Sequence, residues 1–302
     1  MVVMVDMHKT LIYKNREGLR IYDIPEDWYV NRIPGISAML RVKDEEEWIG
    51  PCIESILPFF DEIVVALDCS DRTKDILKSF RSSKIKIYDY PYFLGEVNGV
   101  SNPDSVHDRA YYSNWALSKT TFTVVAKWDG DMIMLPDMYT NRIQDLAKQK
   151  NIVRLCGYNP VALNPFTLSV LKPIDQFEVR FFKVNEHLYF IQNDIEGILE
   201  NDMRLPLAQF ERFTYDLTGL KKVINPYNWV RVPAWYHKYR IKNYILRKDI
   251  YVKKPMFIHT KYLKKNLRED RKAIWHQEAL KPGEILNIPL PEYVFKKPED
   301  YL

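Results

Sequence analysis

A chain of 302 residues with 46% hydrophobic and 28% charged side chains is globular and can bury a sizeable core. Lysine and arginine exceed aspartate and glutamate by 44 − 40 = 4, which argues against a dedicated nucleic-acid-binding protein and suits an anionic small ligand or a membrane surface. The three cysteines, Cys52, Cys69 and Cys156, are too few and too scattered for a disulfide framework or a zinc cluster, so we expect a reducing compartment.

Residues 1–34 contain short strand-like pieces and are predicted to be an N-terminal extension. The opening Met-Val-Val-Met-Val run is interrupted by Asp6 before it reaches the length of a signal peptide, and no apolar stretch is long enough to span a bilayer. We therefore expect a cytoplasmic protein, with peripheral membrane contact as an alternative.

Residues 36–88 alternate between predicted strands and helices. In chain order they are a strand over 36–40, an amphipathic helix over 45–58, a strand over 63–67, a helix over 73–80 and a strand over 85–88. Three glutamates at 45–47 suit the positive N-terminal end of the first helix. This β-α-β-α-β order predicts a parallel sheet with helices on its faces.

An acidic turn follows the next predicted strand. A helix near 105–118 leads to a strand over 122–126, after which come Asp129, Gly130 and Asp131. Open α/β sheets bind ligands at the carboxyl ends of their strands, and two carboxylates there suit a divalent cation. Gly130 would let the chain turn or approach a ligand closely. About five acid-x-acid triplets are expected by chance in such a chain, so the position after a buried strand carries the prediction.

Beyond this turn the pattern changes. A helix is predicted over 136–149, and strand candidates at 152–156, 177–184 and 187–192 lie among prolines and aromatic residues, as in a mixed sheet with long loops. The last third is basic and aromatic, with a helix predicted around Lys264 and Lys265 and a proline-rich tail from Pro282.

Four features in this order resemble the nucleotide-sugar half of the GT-A glycosyltransferases, most closely the inverting glycosyltransferase family 2. They are residues 36–46, the turn Asp68-Cys69-Ser70-Asp71-Arg72-Thr73, the helix with His107-Asp108-Arg109 and Asn114, and the turn from Asp129 to Asp131. The turn after the second strand departs from the family pattern, because Cys69 stands where glycine is usual and one residue fewer is present.

The resemblance covers residues 35–200 and implies a GT-A type, Rossmann-like α/β fold with a mostly parallel sheet and helices on both faces. Residues 35–150 would form the nucleotide-sugar-binding part and residues 151–262 the acceptor-side part of the same domain, which includes a mixed sheet. Residues 263–302 are then predicted to be a basic, proline-rich C-terminal extension.

The resemblance also implies roles for the donor-side residues. Asp129 and Asp131 would hold Mn²⁺ or Mg²⁺, which stabilises charge on the leaving sugar diphosphate. Asp68 would accept a hydrogen bond from the N3–H of uracil or an equivalent base edge, or else cap a helix. Arg109 would pair with a phosphate or brace the aspartates, or else be a solvated helix charge. Arg41 is included among the residues expected to bind the nucleotide.

The acceptor side would contain the catalytic base. The segment 177–183 and the following stretch 189–197 resemble the strand pair that precedes an acidic loop in the family. An inverting transferase needs one carboxylate to deprotonate the acceptor hydroxyl. Glu196 is the first candidate and Asp194 the second, and an exposed loop acid without a role is the alternative for both.

A late histidine completes the predicted site. The short apolar strand Met256-Phe257-Ile258 ends in His259-Thr260-Lys261. GT-A enzymes often bring such a histidine to the metal and a nearby lysine to the diphosphate, and imidazole joins a coordination sphere more readily on manganese than on magnesium. His259 is therefore a predicted metal ligand and Lys261 a predicted diphosphate contact. The alternative is a partly buried histidine bonded to the backbone.

These features predict a metal-dependent transferase that moves a sugar from a nucleotide sugar, most simply a UDP-sugar, to a hydroxyl group. The acceptor would be a glycan, glycolipid or protein, and transfer would invert the anomeric configuration. No nucleic-acid partner is expected. One alternative is a sugar-phosphate nucleotidyltransferase, which would have a glycine-rich phosphate loop after its first strand. Residues 39–44 contain no glycine. Another alternative is a non-catalytic carbohydrate- or membrane-binding module, against which the intact acids argue.

Overall fold

The computed structural model describes residues 24–25, 27–92, 94, 106–107, 109–137, 143–149, 152–170, 178–184, 189–192, 211–214, 250–264 and 284–302. The chain divides into two compact units. The first consists of Met1–Arg32, Tyr90–Thr121 and Val184–Lys248, and the second of Ile33–Asp89, Phe122–Lys183 and Asp249–Leu302. Among the described residues, no helix is long and apolar enough to cross a membrane.

The described strands are β1 (Ile33–Val42), β2 (Glu62–Leu67), β3 (Ile85–Asp89), β4 (Phe122–Asp129), β5 (Met132–Met134), β6 (Ile152–Tyr158), β7 (Pro160–Asn164), β8 (Thr167–Val170), β9 (Glu178–Lys183), β10 (Tyr189–Gln192), β11 (Glu211–Thr214), β12 (Ile250–His259) and β13 (Glu284–Asn287). The α-helices are α1 (Ile49–Ile56), α2 (Thr73–Ser79), α3 (Arg109–Ser118) and α4 (Ile143–Gln149). Short 3-10 turns cover Thr260–Tyr262, Glu292–Phe295 and Pro298–Tyr301.

The predicted α/β class is confirmed, and the strands and helices predicted between residues 36 and 192 occur with shifted ends. Helix α1 begins at Ile49, later than predicted, because the N–H groups of Trp48 and Ile49 both donate to the carbonyl of Glu45 in a preceding turn. The helix predicted around Lys264 is wrong for that residue. Lys264 follows the 3-10 turn Thr260–Tyr262 in irregular backbone, where the Thr260 N–H donates to the distant carbonyl of Asp131.

The second unit contains an eight-stranded sheet in the order β3-β2-β1-β4-β9-β6-β12-β5. Four of its seven neighbouring pairs are parallel: β1 with β2 and with β4, β2 with β3, and β6 with β12. Strand β9 is antiparallel to both β4 and β6, and β5 is antiparallel to β12. The sheet is therefore largely parallel, as expected, with an antiparallel strand between two parallel blocks.

The strand order reverses beside β1. The chain proceeds from β1 to β2 and β3 on one side and then places β4 on the other side of β1. In the register, Arg41 lies opposite both Ala66 of β2 and Asp129 of β4. Ligands of open α/β sheets bind at the carboxyl ends of the strands at such a reversal point. The fold thus places the end of β4 at the position where a binding site is expected.

Helices α1, α2 and α4 pack on one face of this sheet. Their apolar side chains join those of β1, β2 and β4 in one buried cluster, which includes Ile53, Ile76, Ile143, Leu40, Val65 and Ala126. The opposite face is buried as well, at Met39, Val64 and Val125. Burial on both faces explains why these strands are apolar runs without alternation.

A three-stranded antiparallel sheet of β7, β8 and β13 builds a second cluster in the same unit. The described C-terminal residues also pack on this unit. The Lys296 ammonium lies 2.9 Å from Glu54 Oε1, and the Tyr301 hydroxyl donates to Glu54 Oε2 at 3.0 Å. Arg72 binds Glu299 at 2.9 Å.

The first unit contains α3, the antiparallel pair β10–β11 and an aromatic cluster. The Tyr90 ring centroid lies 4.5 Å from that of Tyr112 and 5.0 Å from that of Trp115, and the Tyr90 hydroxyl donates to the carbonyl of Val106. The heavy aromatic content of the chain thus serves a buried core at this place.

Gly50 is required by the close approach of the C terminus. A Cβ atom at this position of α1 would lie 2.3 Å from Tyr301 Cε2. We expect Gly50→Ala to destabilise the protein by about 1–3 kcal/mol in urea unfolding, because the ring must move. In a Tyr301→Ala background the same change should be neutral or stabilise by up to about 1 kcal/mol, because alanine favours the helix. Equal effects in the two backgrounds would contradict this explanation.

Candidate functional site

The acidic turn between β4 and β5 is fixed by hydrogen bonds from two directions. Trp128 Nε1 donates to the carbonyl of Met132 at 3.0 Å across the turn. The Asp131 carbonyl accepts from the backbone N–H of Thr260 at 2.9 Å and from its hydroxyl at 3.0 Å. The end of β12 therefore holds the backbone of Asp131, and the carboxylate extends from a fixed position.

Gly130 is in close contact with the protein itself. A Cβ atom there would lie 3.2 Å from Val42 Cγ2 and 3.3 Å from Glu45 Cγ. The sequence predicted that this glycine provides a turn or close approach to a ligand. Gly130 does lie in the turn between β4 and β5, and the close approach that it allows is to the end of β1 and the turn before α1.

Asp129 is bound by a buried arginine that the sequence analysis did not identify. Arg180 Nη1 on β9 lies 2.9 Å from Asp129 Oδ2, and the Arg180 side chain is 0% exposed while that of Asp129 is 28% exposed. Arg180 also lies over the Phe257 ring, at 5.1 Å from its centroid. Burial alone would raise the pKa of Asp129, but the charges of Arg180 and Lys127 outweigh it and hold this pKa well below its usual range.

Asp131 is bound by two cationic or polar partners, one on each oxygen. His259 Nε2 lies 3.3 Å from Oδ1, and the Lys264 ammonium lies 2.7 Å from Oδ2. Burial would raise the pKa of Asp131, but His259 and Lys264 together lower it, so the carboxylate is ionised at neutral pH. The contact between Asp131 and His259 agrees with the predicted proximity of the strand-end histidine to the acidic turn.

Lys264 also binds Glu45, which follows β1. Burial and the neighbouring charge of Asp131 raise the pKa of Glu45, and the ammonium of Lys264 opposes that shift. Burial would lower the pKa of Lys264, but its two carboxylate partners raise it. One ammonium therefore contacts two acids, one that follows β1 and one that follows β4.

Arg41 and Asp68 lie at the same edge of the sheet. Arg41 is opposite Asp129 in the β1–β4 register, and its charge contributes to the lowered pKa of Asp129. Asp68 follows the end of β2, and its carboxylate binds the Lys43 ammonium at 2.8 Å. The alternative role of Asp68 as a helix cap is not found, because α2 has no side-chain hydrogen bond at its N-cap residue, Arg72.

The roles predicted for Arg109, Lys261, Glu196 and Asp194 stay predictions. Arg109 is the first residue of α3 and belongs to the first unit. The Lys261 ammonium lies 4.9 Å from the centroid of the Tyr262 ring, and its contact with a diphosphate stays a prediction. Glu196 and Asp194, the candidates for the general base, lie outside the described residues.

Within the described part of the chain, three potential ligand atoms come within 4.8 Å of one another only at Asp44, Cys69 and Asp71. Asp44 Oδ1 already accepts from the N–H and the hydroxyl of Ser70. Asp71 accepts the backbone N–H groups of Glu46 and Thr73. These bonds explain the cluster as a pair of loop-capping acids.

Asp131 and His259 fit a divalent cation as a pair. The 3.3 Å between Asp131 Oδ1 and His259 Nε2 is the separation of two adjacent ligands whose bonds to one ion are about 2.0–2.2 Å long. Within the described residues, Asp129 does not form a three-ligand cluster with them, and Arg180 binds its Oδ2. Mg²⁺ and similar ions are commonly held by one or two protein groups together with substrate phosphates and water.

No protein-family model matches the chain. No curated protein matches it either. Solved structures with partial similarity include S. aureus TarS 1–349 in complex with UDP-GlcNAc, at 17% identity over 43% of this chain and 36% of that chain, with a TM-score of 0.35. Glucosyl-3-phosphoglycerate synthase from Mycobacterium tuberculosis, in complex with Mn²⁺ and UDP-glucose, shows 22% identity over 44% and 46%, with a TM-score of 0.29.

A third similar structure is 4-diphosphocytidyl-2C-methyl-D-erythritol synthase from Anaerococcus prevotii, at 12% identity over 50% of this chain and 70% of that chain, with a TM-score of 0.32. The chain thus spans less than half the length of the first two proteins. These values assign neither a family nor an activity to the chain.

The buried pair of Arg180 and Asp129 makes a prediction about stability. Arg180→Met leaves Asp129 without its main compensating charge, so we expect a loss of about 2–4 kcal/mol in the free energy of unfolding, measured with urea. The value is below that of a fully buried pair because Asp129 is 28% exposed. The double variant Asp129→Asn/Arg180→Met should recover part of the loss. A stability of Arg180→Met equal to that of the wild type would refute the role of this pair.

Proposed function

We propose that the chain is a GT-A type glycosyltransferase that moves a sugar from a nucleotide sugar, a UDP-sugar, to the hydroxyl of a glycan, glycolipid or protein with inversion. One observation carries the proposal. The ionised turn of Asp129 and Asp131 lies at the carboxyl end of β4, where the strand order reverses, beside Arg41 at the end of β1 and Asp68 after β2.

The charges at this edge support a diphosphate-containing ligand. Asp129 and Asp131 are both ionised, but Arg180 and Lys264 neutralise them in part, and Arg41 adds a further positive charge. A diphosphate would therefore meet fixed cations whose positions are set by packing before it binds. Such preorganised charges stabilise a leaving group without reorganisation during the reaction.

A Mn²⁺ or Mg²⁺ ion would be held by Asp131 and His259, with Asp129 beside them. When bound, this ion would act as a Lewis acid toward the leaving diphosphate. Arg180 fixes the orientation of Asp129 through its bond to Oδ2, and Thr260 fixes the backbone of Asp131. Both carboxylates are thus positioned by groups outside the coordination sphere, as is usual for metal sites.

Asp68 would bind the nucleotide base. Its carboxylate is paired with Lys43, whose side chain is 60% exposed. Exposed ion pairs contribute only about 0–1 kcal/mol, so a base N–H can replace the ammonium at little cost. Arg109 is proposed as a phosphate contact from the sequence resemblance, and Lys261 likewise.

The acceptor side would use Glu196 as the general base, with Asp194 as the second candidate. This assignment rests on the sequence, in which both acids come shortly after β10. The base would take the proton of the acceptor hydroxyl on the side of the sugar opposite to the leaving diphosphate. Inversion at the anomeric carbon follows from this arrangement.

The segment after β1 argues against a nucleotidyltransferase. A phosphate loop requires backbone N–H groups and glycines that approach the phosphates. Here Asp44 and Glu45 occupy the segment, and Glu45 points its carboxylate to Lys264. The segment thus contains no glycine that would let backbone N–H groups approach a triphosphate.

Metal-dependent donor binding tests the proposal. Asp131→Asn should weaken UDP binding in Mn²⁺ by at least about tenfold, because even outer residues of metal sites are worth about 10–100-fold in affinity. The loss of UDP affinity in buffer that contains a metal chelator should be much smaller. Calorimetric titration in both buffers measures it, with Asp137→Asn as the matched control, because Asp137 is an exposed acid paired with Lys254. Equal weakening of UDP binding by Asp131→Asn in the two buffers would refute the metal role.

Sugar transfer tests the catalytic base. Glu196→Gln should keep donor affinity and reduce transfer by about 10²–10⁴-fold, which is the usual contribution of a positioned general base. Asp194→Asn is the matched comparison. If it abolishes transfer while Glu196→Gln does not, Asp194 is the base. The anomeric proton coupling of the product, measured by NMR, should show inversion, and a retained configuration would refute the general-base mechanism.

A further inference from the structure

The Lys264 ammonium lies between two acids of the candidate site. It is 2.7 Å from Asp131 Oδ2 and also binds a carboxylate oxygen of Glu45. Its side chain is 23% exposed, and those of Asp131 and Glu45 are 6% and 14% exposed. An ammonium has three N–H donors, so the two acids use two of them.

A divalent ion bound to the Asp131 carboxylate would lie close to the Lys264 ammonium, which binds the same carboxylate. His259 approaches Oδ1 of Asp131 and Lys264 binds Oδ2, so an ion held by Asp131 and His259 would lie within about 5 Å of the ammonium. Like charges at this separation repel strongly where water is largely excluded. A divalent ion must therefore displace the ammonium or bind in its presence with reduced affinity.

We propose that Lys264 competes with the divalent cation for Asp131 and thereby makes metal binding depend on the nucleotide diphosphate. The inference rests on the proposed metal site at Asp131 and His259. A diphosphate offers the displaced ammonium new acceptor oxygens, so the ion and the nucleotide relieve the same repulsion and bind better together than separately. By linkage, each must then increase the affinity of the other by the same factor.

The test is the affinity of the full-length protein for Mn²⁺, followed by the electron paramagnetic resonance signal of the free ion, with and without UDP. Lys264→Met should bind Mn²⁺ without UDP about tenfold more tightly than the wild type, or more, because the competing charge is gone. The increase in Mn²⁺ affinity that UDP causes should be smaller in the variant than in the wild type. Lys254→Met is the matched control and should leave Mn²⁺ affinity unchanged, because Lys254 is an exposed lysine paired with Asp137 and has no proposed role in the site.

Equal or weaker Mn²⁺ binding by Lys264→Met, or no Mn²⁺ binding by either protein, would overturn the inference. The outcomes distinguish this inference from the proposed function. If Lys264→Met binds Mn²⁺ more tightly but no nucleotide sugar is bound or cleaved, the competition is supported and the proposed function is refuted. If the wild type needs Mn²⁺ to bind UDP and Lys264→Met leaves Mn²⁺ affinity unchanged, the proposed function is supported and the competition is refuted.

A measurement on the wild type covers the case in which Lys264→Met does not fold, since that variant leaves Glu45 and Asp131 facing each other. An amine-acetylating reagent is applied with and without Mn²⁺, and acetylation at each lysine is read by mass spectrometry. We expect acetylation of Lys264 to rise when Mn²⁺ displaces its ammonium, and acetylation of Lys254 to stay constant. Constant or reduced acetylation of Lys264 would overturn the inference.

Discussion

Three acidic side chains lie close together at one edge of the large sheet, and the structure depends on the cations that bind them. Asp129, Asp131 and Glu45 are all largely withdrawn from solvent. A buried charge without a partner costs several kcal/mol, so the ionised Asp129 and Asp131 need positive groups at fixed places. Burial raises the pKa of Glu45, which shares the Lys264 ammonium with Asp131. Arg180 and Lys264 provide those groups, and they come from segments that are distant in the chain.

The strand order and the charge balance are therefore linked. Strand β9 enters antiparallel between two parallel blocks, and its pairing of Phe181 with Ala126 brings Arg180 beside the end of β4. The end of β12 pairs with β5 and supplies His259 to Asp131. The antiparallel strand β9 thus supplies Arg180, and the end of β12, which is parallel to β6, supplies His259. Without β9 between the two parallel blocks, Asp129 would lack its arginine partner.

Much of the fold follows from local sequence patterns. The apolar runs of β1, β2 and β4 predict buried strands, because both faces of the sheet are covered. The amphipathic pattern of α1 predicts a helix, because one face of that helix packs on the core. Lys264 was predicted to be helical, but it lies in irregular backbone after a 3-10 turn whose first residue, Thr260, donates to the distant carbonyl of Asp131. Periodicity contains no information about such a bond.

The sequence by itself determined that two acids follow a buried strand and that a histidine ends another, because strand ends are visible as local changes in polarity. Only the tertiary structure decided which cations meet those acids. Arg180 is 51 residues from Asp129, and Lys264 is 219 residues from Glu45. A charged residue inside the apolar strand β9 was the available signal for Arg180, but its partner depends on strand order. Lys264 rather than Lys261 binds the acids, because the 3-10 turn that follows β12 sets which lysine returns to the site.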